Sequence, residues 1–148
     1  MIAILSDIHG NYPALEEVVR DARKRGCTRF ISLGDVAGYG AQPGECIDLL
    51  RSLGAVNILG NHDGYITMGE DCPRSKVVTQ IIDYQRGILT MAQVGWLKES
   101  VSTLQEGEML FVHGGPADPQ DQYLYSISPE TIPDGIRWLF SGHTHVQV

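Results

Sequence analysis

Five times along this chain a short apolar run stops at a loop built from aspartate, asparagine, histidine and glycine. Ile2-Ala3-Ile4-Leu5 ends at Asp7-Ile8-His9-Gly10-Asn11, and Phe30-Ile31-Ser32-Leu33 ends at Gly34-Asp35. Val56 to Leu59 leads into Gly60-Asn61-His62-Asp63-Gly64, and Met109 to Val112 into His113-Gly114-Gly115-Pro116. Arg137 to Ser141 leads into Gly142-His143-Thr144-His145. Short apolar runs bounded in this way read as strands buried on both faces. All five histidines of the chain lie in these loops, and none is placed on a helix face or an ordinary surface.

Between the first three runs the spacing becomes helical. Asn11 and Pro13 are a helix start, with Asn near the N-cap and Pro in the first turn. Ala14, Leu15, Val18, Val19 and Ala22 then form an apolar stripe, charged residues take the other face, and Gly26 closes the helix. A second helix is expected from near Pro43 through Cys46, Ile47, Leu49, Leu50 and Leu53 to Gly54. Strand, loop and helix in alternation predict an α/β fold with parallel strands. In such sheets ligands gather beyond the carboxyl ends of the strands, which is where these loops fall. Further on, the pattern predicts an exposed loop from Tyr65 to Cys72 and an amphipathic helix carrying Val77, Val78, Ile81, Ile82, Ile88 and Leu89. A shorter helix around Trp96 and Leu97 follows, then a hairpin of Val101–Leu104 and Met109–Val112. Residues 117–135 are polar and proline-containing, with at most a short helix near Pro129.

Length and charge narrow the function. A chain of 148 residues is the size of one domain. Its net charge of -7 argues against a nucleic-acid surface that works by phosphate neutralisation. The charge is compatible with a small phosphorylated substrate, because bound cations reverse the field inside a pocket. Three widely spaced cysteines form neither a zinc-thiolate pattern nor a disulfide framework, which points to the cytoplasm. The first apolar run is interrupted at Ser6 and Asp7, too soon for a signal peptide or membrane span. Oligomer formation is left open.

Each loop taken singly has an ordinary explanation. Asp7 fits a helix cap, Asp35 a tight turn, Asn61 a left-handed position and His113 a satisfied core histidine. Five such loops at strand ends crowd carboxylates and imidazoles together, and that calls for a cation. Oxygen and nitrogen ligands without cysteine suit Mn, Fe, Zn, Ni or Co rather than a structural thiolate zinc. The ligands exceed what one ion uses. Two divalent ions about 3.5–4 Å apart, sharing a carboxylate and holding a hydroxide nucleophile between them, would use the full set. His62 would then be free for proton transfer.

Asp7-x-His9, Gly34-Asp35-x-x-Gly38, Gly60-Asn61-His62-Asp63, Val112-His113 and Gly142-His143-Thr144-His145, in this order, resemble the calcineurin-like metallophosphoesterase family. Ser6 to Ala14, Gly38-Tyr39-Gly40 and His113-Gly114-Gly115-Pro116 look like its small bacterial and archaeal phosphodiesterase-like branch. The resemblance implies two mixed β-sheets packed as a sandwich and flanked by helices. It implies that Asp7, His9 and His145 hold one metal, that Asn61, His113 and His143 hold the other, and that Asp35 bridges them. Mn is the metal it favours. Asn61 would also touch the substrate phosphate, His62 would protonate the leaving-group oxygen or stabilise the transition state, and Asp63 would orient His62.

Two features depart from the family pattern. Gly38-Tyr39-Gly40 stands where protein phosphatases and bacterial dinucleoside tetraphosphatases carry Asp-Arg-Gly, which weakens those two assignments. Family members also continue past the Gly-His-Thr-His motif with strands that complete the second sheet, so a single, C-terminally short domain over residues 1–148 is expected. The reading is a dinuclear phosphoesterase acting on a phosphodiester or related ester. The alternatives are a phosphomonoesterase or nucleotide phosphatase on the same site, and a weakly active member serving as a binding module. An HD-type phosphohydrolase is disfavoured because that family carries its His-Asp on helices, whereas His62-Asp63 is expected in a loop.

Overall fold

The chain was analysed as a computed structural model that describes residues 1–146. Two three-stranded sheets form its centre. The first contains β1 (Ile2–Leu5), β2 (Arg29–Ser32) and β3 (Val56–Asn57), in that order and parallel throughout. The helices α1 (Tyr12–Lys24) and α2 (Pro43–Ser52) connect these strands. The second sheet contains β4 (Thr103–Glu106), β5 (Met109–Val112) and β6 (Trp138–Phe140), with β4–β5 antiparallel and β5–β6 parallel. Between the sheets in sequence lie α3 (Asn61–Met68), α4 (Lys76–Ile88) and α5 (Met91–Lys98).

The doubly apolar β1 has a face for each neighbour. Ile2 and Ile4 join Ile31, Leu33, Ile58, Phe111 and Phe140 in the core between the sheets. Ala3 and Leu5 pack on the helix side with Leu15, Val19, Phe30, Ile47 and Leu50. This alternation follows from the two-residue period of a strand. Full burial of a side chain such as Ile31 or Phe111 contributes about 1.5–3 kcal/mol, so the thin inter-sheet core is still worth several such increments. Phe111 and Phe140 stack across β5 and β6 at 4.8 Å. Arg29, at the start of β2, pairs with Glu106, at the end of β4, and ties the sheets at their edge.

α1 begins as its sequence predicts, with Asn11 accepting from the Ala14 N–H at 3.3 Å. Three expectations are corrected. The strand before the hairpin runs over Thr103–Glu106, while Val101 leaves it and bridges Ile58 beyond β3. Residues 65–68, expected as exposed loop, belong to α3, and Asn61 through Ile66 are all buried. His62 and Asp63 therefore stand on a helix, in its first turn, and not in a loop. Helices packed on several sides need no apolar stripe, which is why periodicity does not reveal α3. The sequence expectation that included residues 147–148 lies outside the described residues. No helix among the described residues is long and apolar enough to cross a membrane.

Candidate metal centre

The loops after β1 and β2 are laced together by their backbones. Asp7 N–H donates to Gly34 O at 3.1 Å, His9 N–H to Asp35 O at 2.9 Å and Gly10 N–H to Val36 O at 2.9 Å. The lacing requires unusual backbone. Asp7, His9, Asp35, Tyr39, His143 and His145 are the non-glycine residues with positive φ among those described, at 41–65°. Each such residue costs about 1–3 kcal/mol, a cost tolerated where the surroundings over-determine the conformation. Five of the six are residues that the sequence marks as ligands.

Two glycines explain the motifs around them. A Cβ on Gly60 would strike the Asp35 carboxylate and backbone, and one on Gly38 would strike the His62 ring and crowd His9. The polar groups can approach one another only because those positions are bare.

The side chains converge in three overlapping groups: Asp7, His9 and His145; His9, Asp35 and His62; and Asp35, His113 and His143. Within each group, one ligand atom per residue lies within 4.8 Å of every other. Asp35 Oδ2 faces His113 Nε2 at 3.4 Å, His9 Nε2 at 3.8 Å and His62 Nε2 at 4.0 Å. Its other oxygen accepts from the His62 backbone N–H at 2.9 Å, at the start of α3. Asp7 Oδ1 lies 3.2 Å from His145 Nε2, and its carboxylate accepts from the His143 N–H. Asn61 Oδ1 lies 3.1 Å from His113 Nε2.

Hydrogen bonds to the backbone fix the inner rings. His9 Nδ1 donates to Ala37 O at 2.9 Å and His113 Nδ1 to Leu33 O at 2.8 Å, turning both Nε2 atoms toward the carboxylates. His9 Nε2 and His145 Nε2 face each other at 3.1 Å, an approach that needs a proton or a cation between them. Among buried atoms, His143 Nε2 and His62 Nδ1 make no hydrogen bond. Of the two, His143 belongs to a candidate ligand group with Asp35 and His113, and its bare Nε2 fits divalent-ion binding.

The electrostatics agree. Burial opposes ionisation of Asp35, but His113, His62 and His9 together outweigh it and hold this carboxyl well below the usual range. Burial also disfavours a charged His113, yet Asp35 beside it wins and raises its proton affinity. A proton on His113 Nε2 thus stands where a metal cation would. Burial lowers His9 and His143 against the pull of the carboxylates. It takes His62 down to about 4, with Asp35 opposing, so His62 is neutral at physiological pH.

Asp63 does not orient His62. Its carboxylate accepts from Ala37 N–H at 3.0 Å and Val36 N–H at 3.3 Å, so its task is to hold the Asp35 loop. Of the aromatic residues near the motifs, Tyr39 stands beside the His9 and His62 rings, whereas Tyr12 bonds Glu16 and packs on the helix-side core. Sequence reasoning missed Gln85. It occupies a core position of α4, seven residues after Val78 and three after Ile82, and is 1% exposed. Its amide accepts from the Gly38 N–H at 2.8 Å and donates to Gly40 O at 2.7 Å. The available signal is a glutamine in an apolar stripe. Asp121, 3.4 Å from His143 Nε2 and paired with Arg74, was missed as well.

The calcineurin-like phosphoesterase family model matches residues 1–147. Over 99% of its length the chain is 31% identical to an uncharacterized protein of Methanocaldococcus jannaschii, of which it covers 63%. Among solved structures it is similar to a metallophosphoesterase from Sphaerobacter thermophilus, at 32% identity and a TM-score of 0.81, covering 98% of this chain and 60% of that one. A hypothetical protein from Pyrococcus horikoshii OT3 shares the fold at 22% identity and a TM-score of 0.75, covering 87% of this chain and 61% of that one. The chain thus spans about three fifths of the length of these relatives. The ordered motifs, the convergent ligand groups and the whole-length match lead to one conclusion: this chain belongs to the calcineurin-like phosphoesterase family.

Proposed function

We propose that this protein is a dinuclear metal-dependent phosphodiesterase. The observation that carries the reading is the convergence of Asp7, His9, Asp35, His62, His113, His143 and His145 in three overlapping groups fed by strands of both sheets. Asp7, His9 and His145 would hold one divalent ion, and Asn61, His113 and His143 the other, with Asp35 between them; manganese suits this donor set. Such ions, when bound, supply Lewis acidity toward phosphoryl oxygens and lower the pKa of water.

The remaining work falls to the chain. The Nδ1 bonds of His9 and His113 keep their Nε2 atoms aimed inward without reorganisation. Asn61, through its side-chain amide, would bind a phosphoryl oxygen. His62 stands beside Asp35 and outside the ligand set. Neutral at rest, it serves the leaving-group oxygen as a hydrogen-bond donor, and an incoming phosphate anion raises its proton affinity. A diester is favoured because two grooves adjoin the cluster. One of ≈ 600 Å³ is lined by Asp7, His9, Tyr39 and His145, and another of ≈ 350 Å³ by Asn61, Tyr65 and Asp121. Together they give room for a substituent on each side of the phosphorus.

The test is a panel of aryl diester, aryl monoester and cyclic nucleotide assayed with Mn, Ni and Mg, with bound metal measured in parallel. Chelator-sensitive diester hydrolysis with two ions per chain is expected. Asp35→Asn should lose about a thousandfold in kcat, the equivalent of several kcal/mol of charge stabilisation. A metal-loaded wild type inert toward every ester of the panel refutes the proposal.

A further inference from the structure

The loop Gly38-Tyr39-Gly40 does more than replace the Asp-Arg-Gly of better-known relatives. Tyr39 is held with φ 41, yet its side chain is not buried as a reward for that strain: the residue is 53% exposed. Its ring stands edge-on to His9 at 4.6 Å between centroids, and 4.8 Å from His62. It also lines the groove that contains Asp7, His9 and His145. No hydrogen bond among the described residues holds its hydroxyl, so the ring is the part that the fold positions.

The positioning is a built device. Gln85, buried in α4, accepts from the residue before Tyr39 and donates to the residue after it. One side chain thereby clamps both shoulders of the tyrosine. On the far side, Gly40 N–H donates to His9 O at 2.9 Å, and a Cβ on Gly40 would collide with that carbonyl. A buried amide with both ends satisfied by one three-residue loop fixes that loop rather than merely filling space. A core polar group and a left-handed backbone thus present a half-exposed aromatic ring next to His62, the group proposed to serve the leaving-group oxygen.

We infer that Tyr39 is a specificity-determining platform on which a planar aromatic leaving group, aryl or nucleobase-bearing, stacks as its phosphoester bond is cleaved. The inference rests on the phosphodiesterase reading and deepens it. The chemistry of the platform is π-stacking, which is tolerant of ring identity and lost with the ring. Gln85 is a positioning residue that acts through Tyr39.

Binding can be measured apart from turnover. Calorimetry on the Mn-loaded protein with phenylphosphonate and methylphosphonate, neither of them hydrolysable at phosphorus–carbon here, should show a preference for the phenyl compound of about tenfold, equivalent to about 1.4 kcal/mol. Tyr39→Phe should keep this preference and Tyr39→Ala should abolish it. Gln85→Leu should reduce it while leaving bound metal in place. In parallel, Tyr39→Ala should collapse the ratio of kcat/KM between aryl and alkyl diesters by a similar factor. Competition by AMP against ribose 5-phosphate assigns the platform: equal discrimination to that for phenyl admits nucleobases, and none restricts it to small aryl groups. An unchanged phenyl preference in Tyr39→Ala overturns the inference, and so does its loss in Tyr39→Phe, which would assign the contact to the hydroxyl. Phenylphosphonate binding by a wild type that hydrolyses no ester would remove the phosphodiesterase reading and leave the aromatic platform standing. No phosphonate binding at all overturns the platform.

Discussion

The two sheets contribute to the same centre by different means. The first sheet delivers Asp7, His9 and Asp35 on loops joined by direct backbone hydrogen bonds, and Asn61 and His62 on the first turn of α3, backed by the helices and the larger core. The second delivers His113 from its central strand, fully buried, but brings His143 and His145 on a loop held chiefly through side chains. That loop rests on the Asp7 carboxylate, on the backbone bond from Gly142 N–H to His113 O, and on the contact of His143 with Asp121 and Tyr123. The His145 side chain is half exposed, whereas His9 opposite it is about 10% exposed. The difference teaches where preorganisation resides. One part of the candidate ligand set is preorganised by direct backbone bonds, and the other leans on side-chain contacts that a bound cation would complete.

The largest consequence concerns the division of labour. His62→Ala, on the rigid side, should lower kcat by about 100- to 10,000-fold while retaining both ions, as removal of a proton-handling group does. His145→Ala, on the adaptable side, should instead weaken metal binding by at least about tenfold. Metal titrations alongside kinetics separate the two, and loss of metal in His62→Ala would erase the division. An intermediate effect is expected in hydrogen exchange. At metal a hundredfold above its Kd, binding adds about 2.7 kcal/mol, so amides of 142–145 should slow by up to about 100-fold. Those of 7, 9 and 10, bonded to the β2 loop, and of 36–38, bonded to the Asp63 and Gln85 side chains, should slow far less. Equal slowing in both loops would break the contrast.

The smallest effect lies at the joint between the sheets. The Arg29 guanidinium holds the exposed Glu106 carboxyl below its ordinary 4.5. A depressed carboxyl stabilises the fold above its unfolded pKa, and the contribution disappears as pH falls through the folded value. Glu106→Gln should therefore lower the melting midpoint slightly at pH 7, and the difference from wild type should vanish in acid below that value. A large change at pH 7 would mean that the sheets depend on this joint far more than an exposed pair allows.

Much of this molecule was legible in its sequence, for stated reasons. β1, α1, β2, α2 and α4 follow from apolar runs and stripes because each faces core on a regular period. The gathering of Asp7, His9, Asp35, His62, His113, His143 and His145 follows from their position at strand ends. What escaped does not repeat on a period. α3 has its first six residues buried and spends them on the centre, so no stripe marks it. Gln85 looks like a core residue of the wrong type until Gly38 and Gly40 are placed beside it. Asp63 was legible as important but not in its role, because a carboxylate beside a histidine in sequence says nothing about which N–H groups fold over it.

One contact described above reaches into how the protein is made. The His143 N–H and the Asp7 carboxylate that receives it are 136 positions apart. At a synthesis rate of about 5–20 residues per second, roughly 7–27 s separate the two on the ribosome. Asp7, His9 and Asp35 are all made long before His143, so the incomplete chain carries only the first part of the candidate ligand set. His143 and His145 arrive last of the ligands and close it. The centre is therefore a long-range feature, assembled only once the chain through His145 has been made and the loops of its two sheets have met.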